Sequence, residues 1–552
     1  MDAPFSAVTR RAALEAMASE TLDVLVIGGG ITGAGIARDA AMRGLRTAVV
    51  DAGDFGGGTS SRSSRLVHGG LRYLEHGWLK LVFEASRERR ILLRIAPHLV
   101  RSRAFTFPVY RGGRRPVWQI WAGVWLYDAL ALFHNAHRSR LLGRRGVLQR
   151  EPLLRERGLT GGAEYWDAQT DDFRLTLATM RSAHRHGALC ASYTRVAELE
   201  KADGTVRGAR LEDALDGTTR SVRAHVVVNA TGPWSDRLRR LDDPAAPPLL
   251  RPTKGAHIAV PRARLGNAGA VTLTSPIDGR VMFVLPWGSL AVVGTTDTDC
   301  DESPDDVAPT HDDVIYLVRS ANAVFPNARL QEGDVLAAWA GLRPLLRDGG
   351  ATTAAVPREH RIVESGSGLI SIAGGKLTTY RVMAAQVVDR VARRLHALDR
   401  RPVPPRAPTE EEPLPGGDVA DIATLEANLK DDGIAERVAR RLVWAYGSEA
   451  GAIARLVREE PALGELLTPT GHVLAAEVVF QAQREMALTL ADVLVRRTSL
   501  VQRDAPGARA AAARVAELLG REMGWDAAAR AEALARFGGQ VSRMLGRFRN
   551  PS

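Results

Sequence analysis

The chain has 552 residues, too many for a single hydrophobic core, so two or three domains are expected. Its 45% apolar and 25% charged content is the ordinary mix of a folded soluble protein. Two cysteines, Cys190 and Cys300, exclude a disulfide framework, offer no metal-ligand spacing and fit a reducing compartment. With 74 Lys and Arg against 63 Asp and Glu, the formal net charge is +11 and the pI near 10.1. That balance suits anionic partners: a phosphorylated substrate, an acidic membrane surface or nucleic acid, among which charge alone does not choose.

In chain order, residues 1–22 carry Arg10 and Arg11 but no apolar stretch followed by a cleavage site, and read as a short helical arm. From Asp23 the pattern sharpens. Val24 to Ile27 is an apolar run of the kind that fills a buried parallel strand. Gly28, Gly30 and Gly33 follow as G-x-G-x-x-G, Ile31 to Arg43 turns helical, and Thr47 to Val50 reads as a second strand ending in Asp51. In this βαβ setting the glycines permit a tight turn and let the backbone approach a pyrophosphate seated on the helix N-terminus. Asp51 is placed to accept a hydrogen bond from an adenosine ribose.

The next stretch, DAGDFGGGTSSRSSRLVHGGLRYLEHG, offers backbone N–H groups and the hydroxyls of Thr59, Ser60 and Ser61 to a phosphate or a polar ring edge. Lys80 to Ile95 reads as an amphipathic helix and Phe105 to Tyr110 as a strand. Pro116 to Phe133, PVWQIWAGVWLYDALALF, is too short and too interrupted to span a membrane. With Trp118, Trp121 and Trp125 at helical spacing it reads first as a buried helix, and second as one that dips into a membrane.

From Tyr193 the rhythm becomes alternation: Tyr193 to Leu199, Val206 to Leu211 and Ser221 to Arg223 suggest a meander. A buried strand, His225 to Ala230, then ends at Thr231-Gly232, bringing backbone close to a ligand at the carboxyl edge of the sheet. Thr253 to Pro261, Val271 to Ser275, Arg280 to Trp287 and Ser289 to Thr296 read as further strands, with a hairpin at Gly288-Ser289. Leu369 to Ala373 runs through Gly374-Gly375 into a helix starting near Leu377, whose N-terminus favours negative charge on a ligand. Arg400 to Asp418 reads as a Pro-rich linker, and the remainder, including Asp431 to Trp444 and His472 to Leu490, as helical.

The expected fold is therefore α/β: an FAD-binding Rossmann-like domain with an interleaved antiparallel-sheet substrate domain (23–396), preceded by an arm (1–22). A linker (397–417) and a helical C-terminal domain (418–552) follow. The late return through a GGK turn points to FAD more than NAD. In VIGGGITGAGIARDAAMRGL, TSSRSSRLVHGGLRYLEHG, NATGPW, TKGAHIAVP, GTTDTD, GLRPL, AGGKLTTYR, PLPGG and RRTSL, the chain resembles the FAD-dependent glycerol-3-phosphate dehydrogenases.

The resemblance implies oxidation of sn-glycerol 3-phosphate to dihydroxyacetone phosphate, with hydride passing from C2 to flavin N5 and electrons going on to a quinone. It also implies a peripheral place on an anionic membrane surface, at the cytoplasmic face or in the cytoplasm, with no nucleic-acid partner. A homodimer is left open. Substrate contacts carry over to Arg72, Tyr73, Arg343, Arg358 and Lys376, and catalytic roles to His68, Arg343 and Lys376. Cofactor contacts carry over to Gly28, Gly30, Gly33, Asp51, Thr59, Ser60, Ser61, Val196, Thr231, Gly232, Gly375, Lys376, Leu377 and Thr378. No metal is implied. After Arg358 the family's Asp-Tyr is replaced by Glu359-His360.

The chemistry of the residue types agrees. A phosphate dianion calls for several converging Arg and Lys donors. Among the candidates, His68 has the side chain that titrates near neutrality and so suits a base, its alternative being a structural histidine bonded to backbone. Arg343 stays protonated and suits stabilisation of a forming alkoxide. The alternatives are a glycerol-3-phosphate oxidase using oxygen, another FAD-dependent oxidoreductase on this scaffold such as an amino-acid oxidase, and a non-catalytic flavoprotein.

Overall fold

A computed structural model describes residues 4–70, 73–74, 77–113, 115–132, 137–347, 359–546 and 548. The apolar run after Asp23 lies in β1 (Thr21–Ile27), the centre of a parallel sheet. β1 pairs with β2 (Thr47–Val50) on one side and with Thr219–Asn229 on the other. Leu189–Ala191 extends this parallel order beyond β2, and Ile370–Gly374 extends it beyond Thr219–Asn229. An antiparallel edge strand, His360–Glu364, closes the series. Val24, Leu25 and Val26 are fully buried, as a strand covered on both faces requires.

On one face pack α2 (Ile31–Met42) and the helices Asp172–Arg185 and Tyr380–Asp399. α1 (Ala7–Ser19) helps cover the other face, burying Leu14 and Met17. The arm is tied down by Arg10, whose guanidinium meets both oxygens of Asp213 at 2.7 and 2.9 Å and donates to the Ser192 carbonyl at 2.7 Å.

The alternating segment and the buried strand after it, read from the sequence as two strands, form one. Thr219 to Arg223 pairs antiparallel with Thr205–Asp213, and Arg223 to Asn229 continues in parallel beside β1. The change from alternation to a continuous apolar run marks a change of neighbours, not a break in the strand.

Among the described residues the second sheet has ten strands and is antiparallel except where Ala270–Thr274 meets Val100–Tyr110. Five of its strands are additional to those read from the sequence: the short Leu66–Val67, Arg140–Gly143 and Thr298–Asp299, and the longer Leu159–Thr170 and Ala337–Arg343. The two longer ones are rich in Gly and Ala, which carry little β propensity, and are held by their partners Val100–Tyr110 and Thr253–Pro261. α3 (Leu79–Ile95) and α4 (Val117–Leu130) pack beside this sheet.

α4 corrects an expectation. It is not a buried helix: only Val124, Tyr127 and Asp128 are buried, while Trp118, Trp121 and Trp125 are 66, 45 and 56% exposed. No helix among the described residues is long and apolar enough to cross a membrane.

From Ile422 on, the described chain is helical, apart from short turns, around its own core that includes Leu442, Val479 and Val515. Two helices are shorter than their apolar pattern. One begins at Glu436, after Gly433 adopts φ +84°, and the other runs only from Ala475 to Arg484. The segment 400–418 is irregular but pinned: Arg38 donates to the carbonyls of Thr409 and Glu412, each at 2.9 Å, and Leu414 N–H donates to Ile95.

Candidate flavin and substrate site

Three turns at the carboxyl edge of the first sheet build a cradle. At the first, Gly28 adopts φ +105°, and a Cβ there would lie 2.6 Å from the Ala230 carbonyl oxygen. A Cβ at Gly33 would lie 1.8 Å from the Gly28 carbonyl oxygen, so the start of α2 rests directly on the turn. Gly30 is the N-cap of α2 and lends it no side-chain cap. Ser60 Oγ accepts from Ile31 N–H at 3.0 Å. Its neighbours turn elsewhere: Thr59 Oγ1 donates to the Leu342 carbonyl and Ser61 Oγ to that of Gly58.

Asp51 accepts from Gly29 N–H at 2.7 Å and Gly53 N–H at 2.9 Å. Burial nevertheless raises its carboxyl to about 6. The Asp51 carbonyl accepts from Thr194 N–H at 2.6 Å, which sets the strand Thr194–Ala202, and Val196 on it, beside the end of β2. At the second turn, Thr231 Oγ1 donates to Asn229 Oδ1 at 2.7 Å and Gly232 adopts φ +56°. At the third, Gly374 and Gly375 both have positive φ, and the chain passes through Lys376 into a short turn, Leu377–Thr379.

The substrate candidates fall into two groups around the loop from Thr59 to His68. In the first, His68 N–H donates to Thr378 Oγ1 at 3.2 Å, fixing the loop to the third turn. The rings of His68 and Tyr73 lie nearly parallel with centroids 6.3 Å apart, and Lys376 Nζ sits 3.5 Å from the Tyr73 ring centre. His68, Tyr73 and Lys376 thus form one cluster at the Gly374–Thr378 turn.

In the second group, Arg343 ends the strand Ala337–Arg343. It pairs with Asp297 at 3.1 Å and donates to Thr295 Oγ1 at 2.9 Å. Asp297 is shared with Arg280, at 3.2 Å. Arg72 and Arg358 lie outside the described residues.

One residue in this group was not singled out from the sequence. His257 is buried, its Nε2 is 2.9 Å from Ser64 Oγ, and its ring stacks on Trp339 at 5.6 Å. Burial, then the charges of Arg343 and Arg65, hold it down at about 3, so it is a neutral imidazole. The signal was present, since His257 stands in TKGAHIAVP. A second missed feature is the grip of Arg496 and Arg497, from RRTSL, on Asp54 in the glycine-rich loop, at 2.6 and 2.8 Å.

The double glycine turn, the Asp at the end of β2 and the third turn beside α2 suit an extended dinucleotide. Together they define an FAD-dependent oxidoreductase. The family model described as FAD dependent oxidoreductase matches residues 23–381, and that described as C-terminal domain of alpha-glycerophosphate oxidase matches 407–530.

The chain is 37% identical over 536 residues to the aerobic glycerol-3-phosphate dehydrogenase of Bacillus subtilis, covering 95% of this chain and 96% of that one. It is 38% identical to the mitochondrial glycerol-3-phosphate dehydrogenase of Macaca fascicularis, covering 91% and 71%. Among solved structures, the Bacillus halodurans glycerol-3-phosphate dehydrogenase complexed with FAD superposes with TM-score 0.82 at 31% identity, covering 99% of each chain. The chain belongs to the FAD-dependent glycerol-3-phosphate dehydrogenase family.

Proposed function

We propose that the protein oxidises sn-glycerol 3-phosphate to dihydroxyacetone phosphate on FAD and delivers the electrons to a quinone at an anionic membrane surface. The observation that carries the oxidation is the cluster of His68, Tyr73 and Lys376 at the turn ending in Thr378. Bound FAD supplies the two-electron acceptor. The chain's own groups hold the substrate and move its proton: Lys376 and Arg343 meet the phosphate or the forming alkoxide, and His68 receives the hydroxyl proton. Arg72 and Arg358 are assigned to the phosphate on the family resemblance. Gly28, Gly30, Gly33 and the α2 N-terminus take the pyrophosphate, and Asp51 and Val196 the adenosine. Thr59 to Ser61, Thr231 and Gly232 line its course, and Gly375 to Thr378 hold the flavin edge.

Support for the membrane comes from α4. Its tryptophans form an exposed aromatic face suited to a bilayer interface. Exposed Arg138, Arg140 and Arg145 lie on or beside the neighbouring edge strand, and Arg90 on α3, while Arg87 and Arg144 are paired with Glu410 and Glu156. Between Leu79 and Arg150 the acidic residues are Glu84, Glu88 and Asp128, of which Glu88 and Asp128 are buried. A basic collar around an apolar face matches anionic lipid.

The test is anaerobic. Glycerol 3-phosphate should bleach the flavin, and an added quinone should restore it without peroxide. Peroxide formed with oxygen at full rate would identify an oxidase instead.

A further inference from the structure

We propose that Asp54 is a positioning residue for FAD, through which the C-terminal domain latches the glycine-rich loop 51–58 onto the cofactor turn. This rests on the placement above of the pyrophosphate at α2 and of the adenosine at Asp51.

The loop lies directly against the first turn. A Cβ at Gly29 would lie 2.3 Å from Phe55 Cδ1, so the Phe55 ring rests on bare backbone. Gly56 N–H donates to the Gly29 carbonyl at 2.9 Å, and Gly57 N–H to that of Asp54 at 3.0 Å. Just beyond the loop, Ser60 Oγ meets the first N–H of α2, that of Ile31. A shift of the loop therefore shifts the Gly29 turn and the α2 N-terminus, the two places where backbone meets the pyrophosphate.

The grip on this loop comes from outside the FAD-binding domain. Asp54 is buried, and its carboxylate accepts from Arg496 Nε at 2.6 Å and from Arg497 Nη1 at 2.8 Å. Both arginines stand on one turn, Asp492–Arg497, more than 400 residues away in the chain. Arg496 also pairs with Asp492, which accepts from Tyr193 Oη, and Tyr193 N–H donates to the Gly53 carbonyl at 2.8 Å. Arg497 Nη2 donates to the Glu485 carbonyl at 2.6 Å, and the next N–H, of Met486, donates to the Phe5 carbonyl at 2.7 Å. The Phe5 ring stacks on Phe55 with centroids 6.1 Å apart, so the arm and the C-terminal domain close on the loop together.

Charge at this contact favours one geometry. A buried ion pair adds little net stability over well-packed apolar residues, but losing one partner strands the other charge, so displaced arrangements are penalised. The latch also reaches the Asp51 carboxyl. Burial is the main cause of its rise, and the Gly53 and Gly29 N–H groups oppose it. Of the charged groups acting on it, Asp54 raises it further and Arg496 lowers it.

The test follows FAD release from the full-length holoenzyme, read as the rise in flavin fluorescence on dilution, and FAD affinity of the apoprotein across pH. Asp54→Asn keeps the side-chain shape, and Arg496→Gln leaves Arg497 on Asp54. Release should be about tenfold faster or more in both. Arg441→Gln, which breaks a pairing with Glu477 inside the C-terminal domain, is the control for stability alone. It should lower the thermal midpoint and leave release within about twofold of wild type. FAD favours the ionised Asp51, so the pH below which affinity falls should move down in Asp54→Asn and up in Arg496→Gln. A purely structural role would not displace the two profiles in opposite directions. Unchanged release in both latch variants would overturn the proposal, as would release from Arg441→Gln as fast as theirs, or pH profiles displaced the same way. Full FAD affinity in Asp51→Asn at every pH would instead remove the adenosine placement, and the latch with it.

Discussion

Thr378 Oγ1 makes two hydrogen bonds to the backbone of His68: it accepts from the N–H at 3.2 Å and donates to the carbonyl at 3.3 Å. One hydroxyl thus joins the loop carrying His68 to the turn assigned to the flavin edge, across 310 residues of chain.

Thr378→Val keeps the shape of the side chain and leaves both backbone groups of His68 without that partner. The loss is about 1–3 kcal/mol. The expected outcome is normal flavin content with flavin reduction at least tenfold slower, measured by anaerobic stopped flow. An unchanged rate would show that His68 is positioned without Thr378.

Gly30 and Gly33 should separate folding from cofactor retention. A Cβ at Gly33 meets the Gly28 carbonyl at 1.8 Å, whereas a Cβ at Gly30 meets only Ser60 Oγ at 3.2 Å. Gly33→Ala should therefore lower both thermal stability and flavin content. Gly30→Val should fold, with a normal circular dichroism spectrum, yet release FAD because its side chain occupies the pyrophosphate position. Full flavin content in Gly30→Val would place the pyrophosphate elsewhere.

Asp51, raised to about 6, links FAD affinity to pH. A ribose hydroxyl donating to this carboxylate favours its ionised form, so FAD binding expels a proton where the free site is partly protonated. Affinity should weaken as pH falls through about 6 and stay level above it. Asp51→Asn should bind FAD more weakly at pH 7.5 and lose this dependence, as titration calorimetry of the apoprotein across pH would show.

These positions differ in how far they could be read from sequence. β1, the glycine turn, α2 and β2 form one local unit whose hydrophobic period and glycine spacing are its own, and Asp23 to Asp51 folds as its pattern predicts. His257 was passed over because its partners, Ser64 and Trp339, are remote in sequence and nothing local to TKGAHIAVP marks the pairing. The pattern of α4 shows an apolar helix, but whether a second element covers the tryptophans depends on tertiary packing. Arg343 was read as a substrate contact and alkoxide stabiliser; its pairing with Asp297 was not legible, because Asp297 sits on another segment.

The α4 face carries a further expectation. Trp118 and Trp125, more than half exposed, should each add roughly 1.5–3 kcal/mol on transfer into the interface. Trp118→Ser with Trp125→Ser should cut co-sedimentation with anionic vesicles by tenfold or more while leaving glycerol 3-phosphate oxidation in detergent intact. Wild-type binding should weaken at high salt as the arginine collar is screened. Undiminished binding by the double variant would move the lipid contact elsewhere.

The most direct test is anaerobic stopped-flow reduction of the flavin by sn-glycerol 3-phosphate in wild type, His68→Asn and Lys376→Ala. The wild-type flavin should bleach. His68→Asn should be slower by about 10²–10⁴-fold with little change in substrate affinity, and should lose the pH dependence near neutrality. Lys376→Ala should weaken affinity by about ten- to hundredfold. A wild-type flavin that stays oxidised under glycerol 3-phosphate, or a His68→Asn rate equal to wild type across pH, would contradict the account.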